Sequence, residues 1–463
     1  MKRSIAFTII LFVLSLAFIL TSHFLVYGSR EDIGVEEEVF QGDRKYAHNL
    51  DIRQFSNVGR FRWKGLINKG LDSEFKYSFE DKEADLGIEN PFGDGIELYI
   101  NHDAGFDAIY ITDRPDKHRD EYKEIFKELS DENINESYRK RVKLKDFYDY
   151  YPIVSSPAFS SRLASKDIKV EFCEENYDFM DYFKIPVMDD EYLYLNNRDG
   201  RANFDSHSYN DEDWNKTYYP MSQSVVIGKY AYFSFSTHRR DGKVVDTSQI
   251  KDGYGVYKIE GTLDGDNPKI SGEIKIICPL DPKGELIKLS KTEDGSKLVV
   301  FMKEDGETYL YLIDLSKEEL TQKLPVGRTI KLKEGDYFSD SGIIQDKDLF
   351  LARQEENASV LLGMNNDGEY ELKGVFPVNP SYNIEKGMDY KDGKLAFVQY
   401  NKRPLAVDGD KEDIVPSGTW LIVAEDGKVL YEALIRSDID KFKDFNYRLY
   451  YGKFCDYEVE WGD

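Results

Sequence analysis

One pattern constrains the fold of this chain more than any other: an alternating strand, a tight turn, then a second alternating strand. The clearest copy runs Lys297-Leu298-Val299-Val300-Phe301, turns at Glu304-Asp305-Gly306, and returns through Thr308-Tyr309-Leu310-Tyr311-Leu312-Ile313-Asp314-Leu315. Asp-Gly supplies the positive-φ residues that a two-residue hairpin turn needs, and alternation with period two is the mark of a half-buried strand. Further copies pair Leu349–Ala352 with Ala358–Met364, Lys394–Val398 with Thr419–Ala424, and Lys229–Phe235 with Gly255–Ile259. Asp190–Leu195 fits the first strand of such a unit, and Gly95–Ile100 is expected to pair with Ala108–Thr112. Residues 52–80 and 445–461 supply strands for a unit that closes the array.

Matched strands begin near residues 297, 348 and 394, a spacing in the range of about 40–50 residues that propeller blades show. A four-stranded unit of this kind cannot bury both of its faces alone, so units must stack. A closed ring leaves only short, protected edges. The segments Glu293–Phe301 and Tyr309–Leu315, with a fainter copy at Tyr390–Phe397, resemble the repeats of Tol-type and WD-type β-propellers. The chain departs from the WD pattern in having no Trp-Asp dipeptide or Gly-His pair at blade spacing. The resemblance implies an all-β fold, a β-propeller of roughly six to eight four-stranded blades over residues 52–463. It implies no activity, because propellers host binders and enzymes alike. Two β-sandwiches are the competing architecture.

Two segments stand outside the repeat. At the N-terminus, Lys2 and Arg3 precede an apolar run from Ile5 to Leu20 that resumes at Phe24–Tyr27, with no charged side chain from Ser4 to Tyr27 except the titratable His23. Residues 1–28 are therefore expected to be a transmembrane anchor with the N-terminus inside and the bulk outside, or a signal peptide cleaved before Ser29. Residues 29–51 read as an acidic juxtamembrane linker. This places the expected β-rich region at a bacterial cell membrane, on the extracytoplasmic side. The second segment opens at Asp113-Arg114-Pro115-Asp116, and Tyr122, Ile125, Phe126 and Leu129 then fall at helical spacing. A basic stretch from Tyr138 to Lys145 follows, and residues 114–147 are expected to form a helical insertion.

Composition narrows function mainly by exclusion. Asp and Glu number 87 against 62 Lys and Arg, a net charge of −25, which opposes nucleic acid and anionic lipid headgroups. The three cysteines, Cys173, Cys278 and Cys455, are far apart, form no disulfide framework or zinc spacing, and read as buried thiols. No HExxH, GxSxG, P-loop or GxGxxG-with-strand motif occurs, which removes most support for metalloprotease, α/β-hydrolase and nucleotide-binding readings.

The polar stretch from Asn196 to Asn215 is the strongest candidate for a binding loop. It holds Asp205, His207, Asp211, Asp213 and Trp214. Trp214 has the ring to stack on a sugar or cation, and the carboxylates have the oxygens Ca²⁺ prefers, although no complete calcium motif is present and no cofactor is assigned. The competing reading is a solvated loop between blades. Asp264-Gly265-Asp266-Asn267 and Asp408-Gly409-Asp410 read as hairpin turns rather than calcium loops. The expected function is noncatalytic: a scaffold that binds a protein, peptide or cell-envelope glycan, with membrane contact through the N-terminal helix only. A hydrolase or lyase using carboxylates at the propeller axis, and a partner docking through the helical insertion, are the alternatives.

Overall fold

In a computed structural model, residues 10–22, 35–58, 61–67, 76–78, 95–101, 138–146, 149–151, 154–162, 168–172, 177–198, 201–208, 222–239, 242–264, 267–328, 342–355, 358–378, 386–401, 418–437 and 455–462 are described. They are almost entirely antiparallel sheet and divide into two compact units.

The first unit takes in the N-terminal 89 residues, Ile344–Gly363 and Leu372–Asp463. One of its sheets has five strands in the order β1 (Val35–Gly42), β27 (Lys428–Ser437), β26 (Gly418–Glu425), β25 (Lys394–Asn401) and β24 (Lys386–Lys391). A second has the order β28 (Cys455–Trp461), β2 (Leu50–Val58), β3 (Phe61–Ile67) and β4 (Lys76–Ser78). The C-terminal strand thus lies against an N-terminal one, with Ile52 opposite Val459, which is the closing pairing the sequence predicts. A third follows the chain: β20 (Ile343–Asp346), β21 (Leu349–Glu355), β22 (Ala358–Met364) and β23 (Tyr370–Phe376).

The second unit spans Asn90–Ile343 and Met364–Glu371. Two of its sheets are four-stranded meanders in chain order: β12 (Ser222–Ile227), β13 (Tyr230–Phe235), β14 (Gly255–Asp264), β15 (Asn267–Pro279); and β16 (Glu285–Lys291), β17 (Lys297–Glu304), β18 (Glu307–Asp314), β19 (Glu319–Gly327). The others are β5 (Gly95–Asn101), β7 (Val154–Arg162) and β8 (Ile168–Phe172), with β9 (Tyr177–Asp178) pairing β7; and β11 (Arg201–Ser208), β10 (Tyr192–Arg198) and β6 (Tyr138–Lys143).

The turn chemistry works as the sequence dictates. Asp305 and Gly306 adopt φ of 49° and 87°, and Glu304 pairs with Glu307 across a two-residue loop. Middle strands are buried on both faces: Leu298 to Met302 are all solvent-excluded, as are Leu395 to Val398. The last strand, β19, is mostly exposed. That gradient is expected of sheets stacked face to face. Each fully buried Leu, Val or Phe contributes on the order of 1.5–3 kcal/mol.

A recurring side-chain device protects the edges of first strands. In the second unit Gln223 of β12 accepts from the Leu289 N–H of β16 at 2.7 Å and donates to the Ile287 carbonyl at 2.9 Å. In the first unit Asp346 of β20 accepts from Met388 N–H of β24 at 2.7 Å, and Asp389 of β24 accepts from Trp461 N–H of β28 at 2.8 Å. A side-chain oxygen from one sheet thereby satisfies a backbone donor that the next sheet leaves at its edge.

Several expectations need correction. The segment expected as an acidic linker contains β1, because its backbone completes a ladder with β27. The expected helical insertion over 114–147 includes β6 instead: Tyr138–Lys143 pairs with β10, with Val142 opposite Leu193, and a turn of 3-10 helix follows at Leu144–Asp146. Its earlier part lies outside the described residues. A short basic run suits a strand as well as a helix face, and tertiary pairing decided between them. β5 pairs with β7, and the expected partner segment 108–112 lies outside the described residues. Finally, the transmembrane and membrane-localisation reading is not upheld. The N-terminal helix is described over residues 10–22. No helix among the described residues is long and apolar enough to cross a membrane.

Candidate functional site

The densest polar construction in the described residues lies in the second unit. It is built on the connection from β13 to β14, residues 236–254. A connection this long between adjacent strands would ordinarily move freely. Here alternate residues are buried as anchors while those between them face solvent. Thr237, Arg239, Val245, Thr247, Ile250 and Tyr254 are buried; Lys243, Val244, Asp246, Gln249, Lys251 and Asp252 are exposed.

Backbone bonds first close the loop on itself. Arg239 N–H donates to the Lys243 carbonyl at 2.8 Å, Val245 N–H to Thr237 at 2.9 Å, and Ile250 N–H to Thr247 at 3.1 Å. His238 and Val244 form an antiparallel bridge. Three other segments then staple it. The Thr237 hydroxyl donates to the Pro282 carbonyl at 2.8 Å, between β15 and β16. Lys251 N–H donates at 2.9 Å to Tyr182 in the short helix Met180–Phe183, and the Tyr182 hydroxyl reaches Asp252 at 3.3 Å. Tyr150 donates to Gln249 at 3.1 Å. Beneath the loop Phe183 meets Phe233, Phe235 and Tyr257 edge-on.

A buried charge cluster holds the arrangement. The Arg239 side chain is fully excluded from solvent, and its two terminal nitrogens grip the Asp190 carboxylate at 2.7 and 2.8 Å. Glu191, equally buried, lies 3.7 Å from the same guanidinium and accepts from the Tyr151 hydroxyl at 2.5 Å. Tyr151 in turn accepts from Met188 N–H at 3.3 Å, and Lys243 closes on Asp190 from the solvent side. Hydrogen bonding from Arg239 holds the Asp190 carboxyl far below the usual carboxylate range. Burial pushes Tyr182 up to about 12, and Tyr254 and Tyr257 higher still, so these phenols stay protonated as donors. The Arg239 guanidinium is committed to its two carboxylates, and a forked pair of this kind fixes geometry as well as charge. The cluster suits holding a surface rigid more than it suits moving protons.

The sequence-nominated residues fare differently. Asp205 and His207 lie on β11, in the half of the supposed loop that is a hairpin with β10. His207 is opposite Leu193, and Asp205 falls at a bulge, between the pairings of Phe204 with Leu195 and Ser206 with Tyr194. Asp211, Asp213 and Trp214 lie outside the described residues. Among the described residues no group of three or more His, Cys, Asp and Glu is placed to hold a metal ion. Sequence reasoning missed Tyr151, Asp190, Glu191 and Arg239. The available signal was opposite charge at strand ends: Asp189-Asp190-Glu191 just before β10, and His238-Arg239-Arg240 just after β13.

No family model matches the chain, and no curated protein matches it. Among solved structures it is similar to the β-propeller domain of Cps50 (Swd1) from Myceliophteria thermophila, at 10% identity and a TM-score of 0.26, over 66% of this chain and 88% of that one. TolB from Acinetobacter baumannii aligns at 12% identity and 0.20, over 73% and 78%. Apo AztD from Citrobacter koseri aligns at 10% identity and 0.27, over 89% and 99%. The repeat-level likeness to propeller proteins read from the sequence is thus met again among structures. Function has to be argued from the residues.

Proposed function

We propose that this chain is a β-propeller scaffold that binds a protein, peptide or glycan partner noncatalytically through the rim formed by residues 236–254. Seven sheets among the described residues, most of them four-stranded, fall within the six to eight blades read from the repeat. Stacking is the means by which such units bury both faces. The observation that carries the binding role is the rim itself: its anchors are buried and charge-paired, while Lys243, Val244, Asp246, Gln249, Lys251 and Asp252 face outward. A loop fixed before binding loses little conformational entropy when it binds, which is how preorganised surfaces gain affinity.

The test is a screen of the purified full chain against peptide and glycan arrays, followed by Val244→Glu with Lys251→Glu in one variant. Both side chains are exposed, so thermal stability is expected to hold within a degree or two while captured signal falls at least tenfold. Unchanged capture by the double variant would remove the rim from the binding surface.

A further inference from the structure

The five-stranded sheet of the first unit has one strand more than a blade needs. Strands β24 to β27 already form a complete four-stranded antiparallel meander, and β1 is laid antiparallel on its outer edge, Glu36 opposite Arg436 and Val39 opposite Ala433. The two partners are unequal. On β27, Leu430, Tyr431, Ala433, Leu434 and Ile435 are buried. None of the described side chains of β1 is buried, and its apolar residues Val39 and Phe40 are 47% and 50% exposed. Releasing β1 would forfeit little hydrophobic burial, yet it would open the backbone edge of a core strand, a ready template for another strand.

The grip on β1 is specific. The Tyr431 hydroxyl donates to Glu37, Arg436 pairs with Glu38 at 3.1 Å, and Arg44 pairs with Glu37 at 3.3 Å. Phe40, the extra residue of a bulge between Val39 and Gln41, stacks on Trp420 with ring centres 4.8 Å apart. The edge therefore recognises an acidic extended strand with an aromatic at the bulge. The chain carries such a segment itself. It ends at Gly42, φ +83°, where a Cβ would lie 1.9 Å from the Leu430 carbonyl oxygen, and Asp43 then caps a short 3-10 turn.

We propose that β1 is an exchangeable strand, and that the β27 edge takes Val35–Gly42 from a second copy of this chain to form a strand-swapped dimer. The exchanged strand remakes every contact just named, so only the connection after Gly42 changes conformation and the cost of exchange is small. This goes beyond the rim-binding reading and does not depend on it.

The test uses register partners in the full-length chain. Glu36→Cys and Arg436→Cys are made singly, in two chains of different mass, and together in one chain. After joint incubation at high concentration and mild oxidation, the 36–436 disulfide is sought by peptide mass spectrometry. The double variant should form it within one chain. The mixed single variants should form it between chains of different mass, in a fraction that rises with protein concentration. Absence of the interchain linkage at every concentration, with the intrachain control positive, overturns the proposal. Failure of the intrachain control removes β1 from the β27 edge and overturns it too. A labelled synthetic Val35–Gly42 peptide is tested in parallel. Its capture without any interchain linkage would assign the edge to free acidic peptides and likewise overturn exchange between copies.

Discussion

The molecule contains two networks of the same chemistry, one centred on a buried guanidinium and one whose guanidinium groups reach solvent. In the second unit the buried Tyr151, Glu191 and Arg239, with Asp190 reaching toward solvent, tie a loop to its surroundings. In the first unit the buried Tyr431 and the shielded Glu37 join Arg44, Arg436 and Glu38, whose side chains reach solvent, to tie β1 to β27. Each joins a tyrosine hydroxyl to a glutamate and surrounds the carboxylates with guanidinium groups. Burial separates their consequences. A buried pair is costly to break because the remaining charge has no water to turn to. An exposed pair loses little, because solvent replaces the partner. The first network fixes a surface; the second holds a strand that can leave.

The largest expected effect follows directly. Arg239→Met leaves Glu191 buried without its cation and should cost about 3–5 kcal/mol in denaturant unfolding. Adding Glu191→Gln to that variant should recover part of the loss. A cost under about 1 kcal/mol would put the cluster in the same class as the network on β1, where such values are usual, and the comparison would fail. Phe40→Ala or Tyr431→Phe should cost only about 1 kcal/mol globally, but should speed amide exchange on β1 well beyond that of β25.

Acid sharpens the contrast. Because hydrogen bonding from Arg239 depresses Asp190 in the folded state, the stability it contributes is fully present above the unfolded carboxyl value of about 3.9. That stability is lost as pH falls from there toward the lower folded value. Asp190→Asn should therefore flatten the acid limb of a stability-against-pH curve below about pH 4 and leave its slope at neutral pH unchanged. Salt gives the smallest effect. At 1 M, with a Debye length of about 3 Å, β1 should exchange faster while residues 237–245 stay unchanged. As an internal probe, burial pushes the Cys278 thiol up to about 11, so it should resist alkylation at pH 8 until the second unit opens.

What the sequence disclosed was what short-range chemistry controls. The pairings of Lys297–Glu304 with Glu307–Asp314, and of Leu349–Glu355 with Ala358–Met364, were legible because turn residues and alternation specify them locally. The meeting of residues 50–56 with 455–461 was legible because an array of half-buried sheets needs a last partner. β1 was not legible: Val35-Glu36-Glu37-Glu38-Val39 reads as part of an acidic linker, and only the edge of β27 makes it a strand. β6 was misread for the same reason. The rim cluster was hidden because Asp, Glu and Arg near strand ends are normally surface residues, and only tertiary packing shows which are buried. Of the nominated loop, residues 201–208 became a strand, since Phe204 and Ala202 continue an alternation that the surrounding polar residues masked.

Native-state hydrogen exchange on the full chain tests the account most directly, because its centre is a rim held rigid before any partner arrives. The amides of Arg239, Val245, Ile250 and Lys251 should be protected to within about tenfold of those in β13 and β14, while β1 exchanges orders of magnitude faster. If residues 237–251 exchange as freely as β1, the charge cluster does not immobilise the rim, and the preorganised binding surface is contradicted.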